Sequence, residues 1–264
     1  MIGIDVSNYT TGFNARALAQ VGVKRAVVQV VNERITTHRE QIPALLAAGI
    51  ETEAYVYQWF SGGPEFIRRR MNWALDELAV FPEVRRVWLD CEQGEDDNPP
   101  YGGGMETIEM IRLAITLAGE RGYEVGIYSA KWFWDRYLHE VTEFSTLPLW
   151  AAQYDGRQDT SIVPFGGWER AEMKQYAGIG EIAGVGGIDF NWFELAPVIS
   201  EEMDVRTLPL DFNETAALFR GIAAHVPEIF TDNGATAELV VSGYPDHPER
   251  DTYIVQLPRG TGRQ

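Results

Sequence analysis

The sequence predicts an α/β fold: an irregular TIM-like (β/α) barrel with short final connections, followed by a small C-terminal α+β tail. Short runs rich in β-branched and aromatic residues alternate with amphipathic stretches, which favours a parallel sheet with right-handed crossovers. Eight such runs recur about every 25 residues within roughly the first 200 residues, which favours closure into a barrel. A doubly wound open sheet is the alternative, but the first run leads into Asp5–Tyr9 rather than a glycine-rich phosphate loop.

The eight candidate strands are short apolar runs bounded by turn-forming or polar residues. In chain order they are Ile2–Val6, Ala26–Val31, Glu53–Gln58, Arg86–Cys91, Val125–Tyr128, Leu149–Gln153, Met173–Tyr176 and Gly187–Phe190. Two late connections, Tyr154–Gly167 and Ala177–Gly186, lack helical periodicity and are predicted to be loops.

Helices are predicted between the early strands. Ala15–Val21 and Gln41–Ala48 each end before a glycine, the residue favoured just past a helix C-terminus. Glu65–Val80 and Ile108–Gly119 carry apolar residues at helical spacing, so each has one face for the barrel.

The pattern changes after residue 200, and we divide the chain into a barrel over 1–200 and an extension over 201–264. Phe212–Ala224 is predicted to be a helix with Asn213 as a candidate N-cap. Ala237–Ser242 and Thr252–Leu257 are predicted to form a β-hairpin. About 60 residues are few for an independent core, so we expect this extension to pack on the barrel or on a protein partner.

The charge balance limits the classes of partner. The chain of 264 residues has 39 acidic and 22 basic side chains, a formal net charge of −17. Such a surface repels phosphate backbones, so nucleic-acid binding is not expected. Apolar runs stay below the roughly 20 residues of a membrane span, so membrane insertion is not expected either. The single cysteine, Cys91, rules out an intramolecular disulfide.

The candidate chemistry begins with Asp90 and Glu92, at the end of the fourth strand. Residues two apart in a strand share a face, so these carboxyl groups point together and Cys91 points away into the outer apolar layer. Two neighbouring carboxyl groups raise the proton affinity of at least one, which can then act as an acid near neutral pH. A solvated strand end is the alternative interpretation.

Asp5 and Asp189 extend this pair into a constellation. Asp5 lies near the end of the first strand, within an apolar run where a carboxyl group is costly unless it has a partner. Asp189 lies similarly in the last strand. Closing the barrel places the first and last strands side by side, so Asp5 and Asp189 are predicted to be neighbours at the rim that also holds Asp90 and Glu92.

An ordered set of motifs carries a family resemblance across about residues 1–195. The motifs are Gly3–Ser7, Trp88–Glu92, Gly126–Ser129, Leu149–Tyr154, Gln175–Tyr176 and Ile188–Asn191. Together they resemble the Chalaropsis-type lysozymes of glycoside hydrolase family 25. The sequence departs from that pattern at Gln29, where a lysine is common, and at Tyr57–Gln58, where a Tyr-His pair is frequent.

The resemblance implies an N-acetylmuramidase that cuts the β-1,4 bond between N-acetylmuramic acid and N-acetylglucosamine in peptidoglycan. It implies Glu92 as the general acid, Asp90 as the residue that orients the substrate or its acetamido group, and Asp5 and Asp189 as the rest of an acidic floor. A carboxylate nucleophile, the substrate's acetamido group and a directly activated water all stay open for the second step.

Side chains at or near the predicted strand ends are candidate glycan contacts, because aromatic faces stack on sugar rings. The predicted substrate-binding residues are Tyr57, Trp59, Tyr128, Trp150, Gln153 and Tyr176. Tyr128 and Trp150 are favoured because each lies in a matching motif. Filling of the barrel interior is the alternative for any one of them, and Trp88 is assigned to the core.

No metal or organic cofactor is expected. The histidines His38, His139, His225 and His247 have no metal-ligand spacing, and the consecutive acids Glu95–Asp97 are typical of a solvated loop.

No signal-peptide pattern is visible at the N-terminus, so we expect synthesis in the cytoplasm and action on the wall after release, as a phage-type, lysis-associated or virion-associated protein.

Two other hypotheses stay open. One is a catalytically weak glycan-binding or structural module of a virion or secretion apparatus on the same fold. The other is a barrel glycosidase for chitin-like polymers, although Arg85 and Trp88 occupy the first two acidic places of the chitinase pattern.

Overall fold

Eight strands close into a barrel in the computed structural model, which describes residues 1–93 and 104–194 and two further strands at 236–241 and 251–256. The chain divides into two units, Met1–Leu195 and Ala196–Gln264. The strands of the first unit are β1 Ile2–Val6, β2 Arg25–Gln29, β3 Glu51–Tyr57, β4 Arg86–Asp90, β5 Glu124–Ser129, β6 Leu149–Ala152, β7 Ser161–Phe165, β8 Trp168–Arg170, β9 Met173–Ile182 and β10 Val185–Phe193.

The barrel order is β1-β2-β3-β4-β5-β6-β9-β10, with β10 returning to β1. Neighbours from β1 to β9 are parallel, whereas β10 is antiparallel to both β9 and β1. The predicted barrel is confirmed, but the expectation of a parallel sheet throughout is wrong for this last strand. A strand reached by a tight turn reverses direction, because a parallel return needs a crossover of a dozen or more residues.

Both segments predicted to be loops contain strands. Ala177–Gly186 forms the outer part of a β9–β10 hairpin, and Tyr154–Gly167 contains β7, which pairs with β8. Glycines obscure the strand pattern in the hairpin. At Gly180 a Cβ atom would lie 2.1 Å from the Phe190 ring, so the close packing of the two strands excludes a side chain there.

The helices lie between the early strands and cover the outside of the barrel. They are α1 Ala15–Gln20, α2 His38–Ala47, α3 Gly63–Leu78, α4 Gly104–Glu120 and the short α5 Lys131–Phe133, which continues into a π-helical turn at Trp134–Leu138. Gly22 and Gly49 follow α1 and α2 with φ of 92° and 74°, as predicted for helix stops.

Helix α2 begins one turn earlier than predicted. Buried His38 explains the difference, because its Nε2 lies 3.1 Å from a carboxylate oxygen of Glu77 and its ring meets Trp73 edge-on. These contacts with α3 hold a first turn that local sequence does not favour, and they leave Pro43 inside the helix.

Two apolar layers hold the barrel together. The larger lies between the sheet and the helices and includes Cys91, as predicted. The smaller fills the barrel interior with Val27, Tyr55, Trp88, Tyr128, Trp150, Met173 and Phe193. Trp88 fits because its neighbour on β5 is Gly126, where a Cβ atom would lie 2.3 Å from the indole ring.

Charged groups close the N-terminal end of the barrel. The Trp88 indole nitrogen donates to Glu53 at 2.6 Å, and Arg25 and Arg86 form ion pairs with that carboxylate. Both arginines also pair with Glu172 at the start of β9. With this end sealed, the C-terminal rim is the end of the barrel where a substrate can enter.

The described part of the second unit is a pair of antiparallel strands, β11 Thr236–Val241 and β12 Asp251–Gln256, in agreement with the predicted hairpin strands. The predicted helix Phe212–Ala224 lies outside the described residues. Within the described ranges, none of the helices has the length and apolarity that crossing a membrane requires.

Candidate active site

The structure brings Asp5, Asp90, Glu92 and Asp189 together at the C-terminal rim. Asp5 and Asp189 face each other in the β1–β10 pairing, as predicted from closure of the barrel. Asp90 ends β4 between Tyr57 of β3 and Tyr128 of β5. The carboxyl groups repel one another, because Asp5 interacts with Asp189 and Glu92, and Asp90 interacts with Glu92 and Asp5.

Gln175 lies at the centre of this cluster and is fully buried. Its Nε2 donates to Asp5 at 2.8 Å and to Asp189 at 3.2 Å. Its Oε1 accepts hydrogen bonds from Tyr128 at 2.8 Å and from Tyr154 at 2.6 Å. Since both ends of the amide have defined partners, Gln175 fixes the two carboxylates relative to the tyrosine hydroxyls.

Asn191 supports Asp5 from the other side. Its Nδ2 donates to Asp5 at 2.9 Å, and its Oδ1 accepts from the Trp150 indole at 2.7 Å. Trp150 is 1% exposed and lies within the interior layer. The prediction that Trp150 contacts sugar is therefore wrong: the indole offers no open face and instead orients Asn191.

Sequence reasoning missed Gln175 and Asn191 as site residues, although both lie in the matching motifs. The signal that could have found them is their inward position on β9 and β10. An amide inside a barrel needs buried partners, and the predicted need of Asp5 for a partner is met by these two amides.

Burial sets the proton affinity of the cluster. Burial raises the pKa of Glu92 to about 7, with the charge of Asp189 adding to the shift and a hydrogen bond with Tyr128 opposing it. Burial and the charge of Asp189 likewise raise the pKa of Asp5 to about 7, against the hydrogen bonds from Asn191 and Gln175. These carboxyl groups therefore hold protons near neutral pH that ordinary surface carboxyl groups have lost.

Asp90 is the most enclosed of the four acids. It is 4% exposed, and burial together with the charges of Glu92 and Asp5 raises its pKa well above the usual range. Its Oδ1 has no hydrogen-bond partner among the residues that the structure describes. A buried carboxyl oxygen without a partner is costly, and a polar group of the substrate would remove that cost.

Asp189 is held by the backbone. The Ile179 amide donates to its Oδ1 at 2.5 Å, and Ile179 has a φ of 37°, in the left-handed region that disfavours β-branched residues. The pairing of β9 with β10 is irregular here, so the bulge turns this amide toward the carboxylate. Strain at Ile179 thus accompanies the placement of Asp189.

The predicted aromatic contacts have different surroundings. The Tyr57 hydroxyl lies 3.4 Å from the carbonyl oxygen of Glu92, and its ring meets Trp59 edge-on at 6.0 Å. Trp59 is 37% exposed and available to a ligand. The Tyr128 ring is buried against Trp150, with centroids 4.4 Å apart, so only its hydroxyl takes part in the acidic cluster.

Gln153 and Tyr176 do not join the cluster. Gln153 donates to Asp155 and accepts from the Val163 amide, both at 2.8 Å, so its amide stabilises the connection after β6. Tyr176 alternates with inward-facing Gln175, and its ring packs against Phe190. Strand parity and local hydrogen bonds direct both side chains away from the acidic cluster, and their assignment as substrate contacts stays a prediction.

Within the described ranges, the His, Cys, Asp and Glu side chains form no group of three or more that could hold a metal ion. Segment 95–97, predicted to be a solvated acidic loop, lies outside those ranges. The chemistry available at the rim is proton transfer and charge stabilisation by carboxyl groups.

Cleavage of a glycosidic bond requires a protonated carboxyl group that acts as an acid and an ionised carboxyl group beside it. The cluster at the open end of the barrel provides both. The class of protein that this fold and site define is a glycoside hydrolase. The chain belongs to glycosyl hydrolases family 25, whose family model matches residues 4–185. The resemblance read from the motifs is thereby confirmed.

Known proteins similar to the chain agree with this membership. "Probable GH family 25 lysozyme 5" of Dictyostelium discoideum is 29% identical over 201 residues, 73% of this chain and 90% of that protein. "Probable GH family 25 lysozyme 3" of the same organism is 34% identical over 110 residues, which span 40% of this chain and 22% of that longer relative. The crystal structure of a bacterial lysozyme from Streptomyces coelicolor shares the fold, with a TM-score of 0.64 at 19% identity over 75% of this chain and 93% of that one.

Proposed function

We propose that this chain is an N-acetylmuramidase that hydrolyses the β-1,4 bond between N-acetylmuramic acid and N-acetylglucosamine in peptidoglycan. The observation that carries the proposal is the pKa of Glu92, raised to about 7 at the rim beside Asp90. Membership of family 25 and relatives named as lysozymes support the choice of peptidoglycan over other glycans.

In the proposed reaction, Glu92 is the general acid. Protonated Glu92 donates its proton to the oxygen of the leaving sugar as the bond to the anomeric carbon breaks. One water supplies the hydroxyl group that ends on the anomeric carbon, and its remaining proton restores Glu92. A carboxyl group with a pKa near the working pH suits both proton transfers.

Asp90 acts on the substrate beside Glu92. Its unpartnered Oδ1 is the atom we assign to the acetamido group of the sugar at the breaking bond. Asp5 and Asp189, fixed by Gln175, supply negative charge toward the oxocarbenium-like centre that develops as the bond breaks.

The direct test compares wild type with Glu92→Gln on purified bacterial walls, with release of reducing ends as the readout. The matched control is Glu120→Gln, the same change at an exposed site at the end of α4. We expect Glu92→Gln to lose at least about 100-fold in rate and Glu120→Gln to match wild type. Binding to wall fragments without release by wild type would instead favour the glycan-binding module.

The proposal includes action on the wall after release, in a phage-type or lysis-associated setting. Production of the chain inside a bacterial host tests this setting. We expect cells to lyse only when a membrane-permeabilising protein is produced with it, and lysis by the chain alone would contradict the proposal.

A further inference from the structure

A cavity opens between the segment that follows β2 and the first half of α3, with Trp59 in its lining. Its volume is about 540 Å³, and its walls combine arginine and aromatic side chains. The arginines are Arg34, Arg69 and Arg70, and the aromatic residues are Trp59, Phe66 and Trp73.

The charge of this cavity is opposite to that of the chain. Three guanidinium groups and one carboxylate, that of Glu33, line it, whereas the chain carries a net charge of −17. Arg69 lies over the Phe66 ring at 5.2 Å, which directs its guanidinium along the aromatic wall. A local excess of positive charge on an acidic protein indicates a site for an anionic group.

Arg70 is the strongest indication. Its side chain is half-buried, and its Nε is enclosed without a hydrogen-bond partner in the part of the chain that the structure describes. Salt bridges are formed by other arginines, such as Arg39 with Glu77 and Arg112 with Glu143, but Arg70 has none within the described residues. The charge of Glu33 acts on Arg70 from the same cavity but forms no salt bridge with it, so the enclosed Nε is a donor that an anionic ligand would satisfy.

The cavity is connected to the acid by two short contacts. Trp59, one of its walls, meets Tyr57 with ring centroids 6.0 Å apart, and the Tyr57 hydroxyl lies 3.4 Å from the backbone carbonyl of Glu92. Trp59 and Tyr57 thus join the lining of the cavity to the strand end that holds Glu92.

We propose that this cavity binds the peptide stem of peptidoglycan, with Arg70 pairing with a stem carboxylate and Trp59 and Phe66 contacting the short apolar part of the stem. The inference rests on the proposed function, because the stem is joined through a lactyl ether to the muramic acid sugar, which adjoins the bond to be cleaved. Stems carry free carboxylates, and the planar guanidinium fork matches a carboxylate in geometry and charge.

The test compares glycan strands that carry peptide stems with strands from which an amidase has removed them. We expect wild type to cleave stem-bearing strands with about tenfold higher kcat/KM, and Arg70→Gln to abolish that preference while cleaving bare strands at the wild-type rate. The factor corresponds to loss of one charge-assisted hydrogen bond at a partly exposed site. The matched control is Arg68→Gln, on the same helix but outside the cavity lining, which we expect to keep the preference.

The outcomes separate this inference from the function on which it rests. If wild type cleaves neither substrate, the proposed function fails. If wild type cleaves both equally, or if Arg70→Gln lowers both rates by the same factor, the stem site fails while the muramidase assignment stands.

A binding measurement keeps the inference testable if Arg70→Gln is unstable. Wild type is titrated with a muramyl dipeptide that has a free carboxylate and with the same compound after amidation of that carboxyl group. We expect about tenfold tighter binding of the free acid. Equal affinity for the two compounds would overturn the proposal.

Discussion

Replacing Gln175 with leucine removes four hydrogen bonds from the centre of the acidic cluster. Those bonds join the amide to Asp5 and Asp189 on one side and to Tyr128 and Tyr154 on the other. The two carboxylates keep other donors, Asn191 for Asp5 and the Ile179 amide for Asp189. Because these partners remain, we expect a loss of about 2–4 kcal/mol in the free energy of unfolding rather than the sum over four buried bonds.

The same substitution changes the titration of Asp5. The bond from Gln175 lowers the pKa of Asp5, so its loss moves that pKa above its present value of about 7. Less of Asp5 is then ionised at pH 6, and we expect kcat on bacterial walls to fall about 10–100-fold there, with the rising limb of the pH profile displaced to higher pH.

The assay measures thermal unfolding and the pH dependence of reducing-end release for Gln175→Leu and for Gln58→Leu. Gln58 is an equally buried glutamine, whose Nε2 donates to the Val56 carbonyl at 2.7 Å. We expect both variants to lose stability and only Gln175→Leu to displace the pH profile. An unchanged profile in Gln175→Leu would show that Gln175 is structural and would refute the reasoning.

Three further predictions concern the same rim. A carboxyl group whose pKa is raised on folding lowers the free energy of unfolding as the pH rises from the unfolded pKa to the folded pKa. Raising the pKa of Glu92 from 4.5 to about 7 lowers that free energy by about 3 kcal/mol at high pH. Chemical denaturation should therefore find Glu92→Gln more stable than wild type at pH 8 by up to that amount and similar at pH 4, whereas equal stability at pH 8 would contradict the raised pKa. Ile179→Gly should raise the melting temperature by about 2–4 °C, because relief of the positive φ gains about 1 kcal/mol. Little packing is lost, since Ile179 is 89% exposed. A lower melting temperature would show that the backbone at Ile179 is unstrained. Asp90→Asn removes a buried acid whose pKa is raised on folding, so by the same linkage we expect a melting temperature at neutral pH that is equal to or higher than that of wild type. We expect kcat to fall about 100-fold, because the amide cannot turn a negative charge toward the acetamido group, and full activity would remove Asp90 from the reaction.

The fold could be predicted because its periodic signals are strong. Alternation of apolar strands with amphipathic helices identifies the first six strands, and closure of the barrel then places Asp5 beside Asp189. Only the inner parts of β9 and β10 were predicted as strands. The outer part, Ala177–Gly186, was predicted to be a loop because it is rich in glycine and its bulge leaves no period of two in the sequence.

The four carboxyl groups of the site could be predicted from the sequence, but the burial of the aromatic side chains beside them could not. Trp150 was predicted to contact sugar because it lies in a matching motif near a strand end. Sequence does not tell how far along the barrel axis a ring lies, and interior packing around Trp88 and Tyr128 buries it. The role of Gln175 could not be predicted, because its partners Tyr128 and Asp5 lie on β5 and β1 and approach β9 only in the folded barrel.

The central claim is that Glu92 protonates the leaving oxygen, and a substrate that needs no such proton tests it most directly. The measurement compares Glu92→Gln with wild type on bacterial walls and on a 2,4-dinitrophenyl β-glycoside of N-acetylmuramic acid, whose leaving group departs without protonation. We predict that the variant loses at least about 100-fold on walls and stays within about tenfold of wild type in the first-turnover release of dinitrophenolate from the activated glycoside, a step that needs no proton from residue 92. An equal loss on both substrates would contradict the assignment of Glu92 as the acid.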